Sequence, residues 1–318
     1  MSDQRTEVAQ HGAGSEVSVG AATGGAEIGT GGREASLWSD AWIKLRRNPL
    51  FVISALVILV FTVMAAFPNV FTSFYPGIQD PRDCSLSSSA ARPGATAWFG
   101  FDIQGCDYYA NVVYGAKVSM IIGIATSVVS GIIAVVLGAL AGYYGGRLDT
   151  IISRITDVFF AIPTILGAIV ILNAIGKRGL FQVTLVLVAF GWMTMLRLMR
   201  SSTIERRNAD YVEAARALGA STPRVITRHI LPNAIAPVIV YGTIFVGVAI
   251  STEAALSFLG VGLQLPAISW GLMINSSFTR ILQVPHLLLF PGIFLSVLVL
   301  AFIVLGDALR DALDPRLR

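Results

Sequence analysis

The chain has 318 residues, of which 54% are hydrophobic and only 13% are charged, and its mean hydropathy is +0.71. This balance excludes an ordinary soluble domain, in which about 25% of residues carry a charge. The net charge of +4 comes from basic residues that flank apolar runs. We interpret it as a sign of membrane topology and not of nucleic-acid binding.

Six apolar runs without charges come close to the ~20 helical residues that cross a hydrocarbon core. Because the runs are continuous and do not alternate with polar residues, they exclude a membrane β-barrel. The sequence therefore predicts an all-α polytopic membrane protein with six transmembrane helices. The predicted spans are residues 49–67, 118–142, 158–176, 179–196, 233–252 and 287–306.

The distribution of Lys and Arg predicts the orientation of these spans. If the N-terminus is cytoplasmic, most of the 23 basic residues fall in cytoplasmic segments, as the positive-inside rule requires. This arrangement makes both termini cytoplasmic and assigns segment 200–232 to the cytoplasm. The long loop 68–115 then lies outside the membrane.

The first two segments precede the main helical region. Residues 1–36 are rich in Gly, Ala, Ser and Thr, and we expect a disordered cytoplasmic tail because they cannot bury a core. Segment 37–67 begins with alternating apolar and charged residues at helical spacing. This pattern predicts an amphipathic helix on the inner membrane surface, followed by the first span. A simple helical extension of that span is the alternative.

The external loop contains both cysteines of the chain, Cys84 and Cys106. An oxidising compartment permits a disulfide between them, and two cysteines in one external loop are more often paired than free. The alternative is two unpaired small residues.

The remaining spans contain three features of interest. Pro163 and Pro237 interrupt predicted spans 158–176 and 233–252, and we expect them to kink the helices. The short Gly-rich stretch 254–263 is typical of a re-entrant or interfacial segment. Glu253 lies close to the outer edge of the fifth span. It is either a gate or substrate contact or, as we favour, a carboxylate that caps or pairs at the interface.

The polar segment Asp210–Pro232 separates two apolar runs and predicts a helix, a break and a second helix. Asp210 can cap the first helix, with Glu213 completing a capping box. Gly219 supplies a left-handed residue that ends the helix, and Pro223 after Thr222 suits the first turn of the next one.

One face of the first helix in this segment is apolar and smooth. Its members follow at helical spacing and are Tyr211, Ala214, Ala215 and Leu218. Such a surface of small residues suits a helix that lies in a partner's groove. A solvated loop that only connects two spans is the alternative.

Searches for catalytic and cofactor motifs find none. The three histidines lie far apart, no zinc-binding motif is present, and the Gly176-Lys177 pair lacks the rest of a phosphate loop. We therefore expect no catalytic residue, no metal site and no bound cofactor in this chain, and no ATP hydrolysis by it.

The polar segment resembles the EAA loop of permeases of ATP-binding cassette (ABC) importers. The matching residues are Glu213-Ala214-Ala215, then Gly219 and later Leu231-Pro232. The resemblance implies that the first helix is a coupling helix that sits in a groove of an ATPase subunit. His229 departs from the usual apolar residue two positions before the leucine. The implied ATPase-docking residues are Tyr211, Glu213, Ala214, Ala215, Arg216, Leu218, Gly219, Leu231 and Pro232.

Residues 37–318 are similar to the C-type permease of dipeptide and oligopeptide importers, with a type I importer permease fold. The similarity lies in several short motifs: Gly100-x-Asp102-x-x-Gly105-x-Asp107, AGYYGG at 141–146, Glu253–Gly260, Ser269-Trp270-Gly271 and Gly306–Arg316. It implies a five-helix core over 116–306 and a cytoplasmic C-terminus over 307–318. Cys106 stands where the family commonly has arginine, a substitution that is consistent with a bond to Cys84.

The resemblance also implies the partners. They are a second homologous permease, two ATP-binding subunits that carry ATP and magnesium, an extracytoplasmic substrate-binding protein, a peptide substrate and membrane lipids, with no nucleic acid. Two alternatives are the same architecture importing another small solute, such as nickel, and an ion-coupled secondary carrier. The second would need several ionisable groups within the membrane and paired interrupted helices, and neither is evident.

Overall fold

The computed structural model describes residues 42–313, and within this range the regular elements are helices, without an extended strand. The predicted tail 1–36 and the start of the amphipathic helix lie outside the described residues. The helices are α1 (Pro49–Ala66), α2 (Pro68–Ser73), a 3₁₀-helix (Leu86–Ser88), α3 (Tyr108–Tyr144), α4 (Gly146–Phe160), α5 (Thr164–Ile175), α6 (Leu180–Arg207), α7 (Asp210–Ala217), α8 (Thr222–Arg224), a π-helix (Val225–Ile230), α9 (Leu231–Ala234), α10 (Ala236–Phe258), α11 (Trp270–Phe278) and α12 (His286–Leu313).

Five of these helices, α1, α3, α6, α10 and α12, are long and apolar enough to cross a membrane. A sixth crossing is possible only as the pair α4 and α5, which are bent by 85° at a short break. The prediction of one kinked span at 158–176 is therefore corrected to two helices. Pro163 lies directly before α5, where its missing N–H costs no helical hydrogen bond.

Several predicted boundaries also move. Helix α3 begins at Tyr108, ten residues before predicted span 118–142, because Asp107 caps it. Pro237 lies in the first turn of α10, so it starts that helix and does not kink a span. Helix α10 also extends to Phe258, so only the end of segment 254–263 forms the turn before α11. Finally, α12 continues past residue 306 to Leu313.

Helices α3 and α6 pack in close contact along glycines of α3. A Cβ atom added to Gly138 would lie 2.8 Å from Met199 Cβ, and one added to Gly142 would lie 2.7 Å from the carbonyl oxygen of Arg200 and from Thr203 Cβ. Such small residues let two backbones approach each other in lipid. The pair forms the centre of the larger buried apolar cluster.

A second apolar cluster joins α1, α3, α10, α11 and α12 around Trp270, which is fully buried. The Trp270 ring packs edge-on against Phe61 with ring centroids 5.8 Å apart. Its Nε1–H donates to the carbonyl oxygen of Val112 at 2.9 Å, so the indole keeps a hydrogen-bond partner in an apolar environment. The Tyr108 hydroxyl similarly donates to the carbonyl oxygen of Leu287.

The loop before α3 is held by a disulfide between Cys84 and Cys106. Asp102 accepts the backbone N–H of Gln104 and of Cys106 at 2.8 Å each, and burial raises the pKa of this carboxyl. Asp107 caps α3 by accepting the Ala110 N–H at 3.1 Å. We call this side of the molecule the disulfide end, and the opposite side, with residues 208–235, the loop end.

Candidate docking site

Helix α7 at the loop end begins without a side-chain cap. Ala209 occupies the N-cap position, and Asp210 is the first helical residue, so the predicted capping box with Glu213 does not form. Both carboxylates still lie in the first turn. There they stabilise the helix through its positive N-terminal dipole.

The end of α7 is as predicted, because Gly219 has φ +80°. The Gly219 N–H donates to the Arg216 carbonyl at 2.9 Å, and the Ala220 N–H donates to the Ala215 carbonyl at 3.0 Å. This pair of bonds is a Schellman motif, which satisfies the last carbonyls of the helix. The chain then reverses and enters α8 with Pro223 in its first turn.

Helix α7 has two different faces. Val212 is fully buried and Ala215 is 8% exposed, whereas Tyr211 is 41% and Leu218 89% exposed. Ala214 is also exposed. The predicted apolar face is therefore corrected: Ala215 belongs to the packed side with Val212, and the outward face contains Tyr211, Ala214 and Leu218. We call this outward face, together with Glu213, the docking face.

The residues after α8 form a π-helix, Val225–Ile230, which the sequence did not predict. The Leu231 N–H donates to the Ile226 carbonyl, five residues back. Pro232 then has no N–H to donate, and the Asn233 side chain bonds the His229 carbonyl at 2.8 Å. Such π-turns are rare and often occur at functional sites. Leu231 is half-buried and Pro232 exposed.

This helix–break–helix lies within a region that matches a family of known proteins. The family model described as "Binding-protein-dependent transport system inner membrane component" matches residues 134–318, and the "N-terminal TM domain of oligopeptide transport permease C" matches residues 36–87. The chain belongs to this family of inner-membrane permeases.

The relatives of this permease share most of its length. An oligopeptide transport system permease of Bacillus subtilis is 36% identical, covering 90% of this chain and 92% of the relative. A dipeptide transport system permease of Alkalihalophilus pseudofirmus is 39% identical, with 89% and 91% covered. A glutathione transport system permease of Pectobacterium atrosepticum is 35% identical, with 88% and 92% covered.

The fold of the permease is similar to a solved structure of the MetNI methionine ABC transporter in an inward-facing conformation. The TM-score is 0.53 at 19% identity, over 64% of this chain and 96% of the other. This likeness supports the importer permease fold.

Two side-chain contacts connect the central α3–α6 pair to its neighbours, one with α7 at the loop end and one with α4. The Arg216 guanidinium of α7 lies over the Tyr143 ring, with Cζ 5.3 Å from the ring centroid. Arg200 of α6 binds both carboxylate oxygens of Asp149 on α4, with Nη2 to Oδ2 at 2.6 Å. Helices α7 and α4 are thus joined by side chains to the central α3–α6 pair.

Glu253, expected either as a gate or substrate contact or as a carboxylate that caps or pairs at the interface, is fully buried near the end of α10. Its Oε1 accepts the Ser257 hydroxyl at 2.8 Å, and Ser257 Oγ accepts the Leu263 N–H at 3.0 Å. The carboxyl group therefore holds the turn between α10 and α11 in place.

Among residues 42–313, no group of three or more His, Cys, Asp or Glu side chains is arranged to hold a metal ion.

Proposed function

We propose that this permease is the transmembrane subunit of an ATP-driven importer of di- and oligopeptides, and that the docking face of α7 fits a groove of an ATP-binding subunit. The observation that carries the proposal is Leu218, which remains 89% exposed at the tip of a helix whose other side is fully packed. With the exposed Tyr211 and Ala214 beside it, this leucine gives the docking face an apolar surface of the kind that marks a protein interaction site. The peptide cargo is inferred from the names of the oligopeptide and dipeptide relatives.

The proposal assigns the chemical work to other chains. ATP and magnesium are held by two ATP-binding subunits, a second homologous permease supplies the other half of the pathway, and an extracytoplasmic binding protein delivers the substrate. The loop end is cytoplasmic in this arrangement, and so are both termini. Closure of the ATP-binding subunits displaces α7, and the spans convert this displacement into alternating access.

The docking face is tested by Leu218→Asp in the complete transporter, purified through a tag on this chain. A carboxylate in an apolar groove is expected to lower the amount of co-purified ATP-binding subunit at least about tenfold. Peptide uptake should fall in parallel, while the amount of permease in the membrane stays the same because the residue is exposed.

Leu86→Asp is the matched control, since Leu86 is 80% exposed but lies at the disulfide end. It should retain the ATP-binding subunits. Undiminished co-purification with Leu218→Asp would refute docking through this face.

The energy source and the cargo are tested by uptake into cells. ATP depletion should stop peptide uptake, whereas collapse of the proton gradient alone should not, and the opposite result would favour an ion-coupled carrier. Competition by dipeptides, longer peptides, glutathione and nickel ions identifies the cargo. The glutathione permease among the relatives makes glutathione the first competitor to test.

A further inference from the structure

Movement of α7 can reach the spans through its packed side. Val212 lies in the same buried cluster as Val225 and Ile230 of the π-helix. This contact leads along the chain, through α9, into α10. The π-helix and α9 also contact α6, so this packed route reaches α6 as well as α10. A second connection leads from α7 directly to α3.

The second connection is the contact of Arg216 with Tyr143. The Arg216 guanidinium carbon lies 5.3 Å from the Tyr143 ring centroid, within the ~6 Å over which a cation is attracted by an aromatic face. Arg216 is on the solvent-exposed part of α7, and Tyr143 is half-buried against the larger apolar cluster. Arg216 and Tyr143 are 73 positions apart in the sequence.

The backbone around Tyr143 is held by residues of α6. Arg207 Nη1 donates to the Tyr143 carbonyl at 3.0 Å and to the Gly142 carbonyl at 3.4 Å. The Gly142 backbone touches Arg200 and Thr203 so closely that a methyl group would not fit. The last turn of α3 and the C-terminal part of α6 therefore move together.

The same turn also leads to α4. Gly145, with φ +65°, ends α3 and begins α4, and Asp149 in the first turn of α4 binds Arg200 of α6. A force applied at the Tyr143 ring consequently reaches α3, α4 and α6 at once.

We propose that the Arg216–Tyr143 contact is a positioning link that transmits displacement of the docking helix to α3, α4 and α6. The inference rests on the proposed function, because it assumes that α7 is displaced by ATP-binding subunits. Arg216 in this reading faces the permease itself and not the partner's groove. Its loss leaves docking intact and weakens the coupling between ATP turnover and transport.

The link is tested by a double-mutant cycle in the complete transporter, reconstituted in liposomes with its binding protein. The quantity measured is peptide transported per ATP hydrolysed, because this ratio does not depend on the amount of folded protein. Arg216→Ala and Tyr143→Leu should each lower the ratio about twofold to fivefold. The double variant should be no worse than either single one.

Conservative and neighbouring substitutions distinguish loss of the Arg216–Tyr143 contact from a general loss of structure. Tyr143→Phe keeps the aromatic face and should keep the wild-type ratio. Tyr144→Leu removes the adjacent, 56% exposed ring, and Arg147→Ala removes an exposed charge from the same turn. Both should keep the ratio.

Three results would overturn the link: single effects that multiply in the double variant, a Tyr143→Phe variant as impaired as Tyr143→Leu, or an equal effect of Tyr144→Leu. The proposed function fails separately. If the wild-type transporter hydrolyses ATP without transporting peptide, the proposed peptide cargo is wrong. The double-mutant cycle is then measured with the cargo that the competition experiment identifies. If the purified permease carries no ATP-binding subunit, both proposals fail.

Discussion

Single residues at the loop end show that the short helix α7 has one buried side and one exposed side. Val212 is completely buried while Leu218 is almost completely exposed, although both are ordinary apolar residues in the sequence. A helix of eight residues has only about two turns, so the spacing of its apolar residues does not decide which side is buried. The sequence predicted an apolar face but assigned Ala215 to it, since it could not show which side the π-helix covers.

Other residues were predicted correctly for local reasons. Gly219 adopts φ +80°, and this could be predicted because glycine populates the left-handed region without steric cost. The cap at Asp210 was wrong, because aspartate is also favourable inside the first turn and the choice between the two positions depends on the preceding backbone. The burial of Glu253 could not be foreseen, since its Ser257 partner and the turn at Leu263 come together only in the fold.

The role of Glu253 leads to a prediction about stability. Glu253→Gln keeps an oxygen that accepts the Ser257 hydroxyl, so thermal unfolding in detergent should be close to that of the wild type. Glu253→Ala leaves that buried hydroxyl without an acceptor and opens a cavity. It should lower the free energy of unfolding by about 1–3 kcal/mol.

Thr252→Val is the matched control, because the Thr252 hydroxyl bonds only the Val248 carbonyl of its own helix. Its effect should remain within about 0.5 kcal/mol. If Glu253→Ala is as stable as the wild type but loses transport, Glu253 contacts the pathway and does not support the turn.

Among the helices, the contact of α3 with α6 gives the second prediction. Gly142→Ala places a methyl group 2.7 Å from the Arg200 carbonyl oxygen. The two helices must then separate, and stability should fall by about 1–3 kcal/mol. Gly131→Ala on the same helix is the control, because its nearest neighbour would be Met195 Sδ at a normal 3.7 Å.

Both variants are compared by thermal unfolding of the purified permease. Equal stability of Gly142→Ala and Gly131→Ala would contradict the close packing of α3 on α6. The small residues of this span were visible in the sequence, but the partner helix and the depth of each contact were not.

The sequence predicted the apolar helices more reliably than their ends. Apolar runs identify the part of a helix that lipid surrounds, but a helix continues into water wherever caps and packing permit. Helix α3 begins at Tyr108 because Asp107 accepts the Ala110 N–H, and the exposed Lys117 made the predicted span start too late. A kink at Pro163 was predicted, but the structure has a break between two helices bent by 85°, because proline limits only the local backbone and tertiary packing sets the direction of the next helix.

For the whole molecule, the predicted orientation can be tested by cysteine labelling. The native cysteines form a disulfide, so an introduced thiol reacts alone. In sealed cells a membrane-impermeant maleimide should label Leu282→Cys, which is 95% exposed near the disulfide end, and should not label Leu218→Cys at 89% exposure. Inverted vesicles should give the reverse pattern. Labelling of Leu218→Cys in sealed cells would show that the loop end is extracytoplasmic.

The bent pair α4–α5 limits how this part of the chain can cross a membrane. Helix α5 contains 12 residues and is therefore about 18 Å long, whereas a hydrocarbon core is ~30 Å thick. Helix α4 turns away by 85° and leaves Ile151, Ile155 and Val158 exposed along one side, as in a helix that floats at the lipid headgroups. Helix α5 alone is therefore too short to cross a core of that thickness, unlike the 37-residue α3, so a sixth crossing needs residues beyond α5.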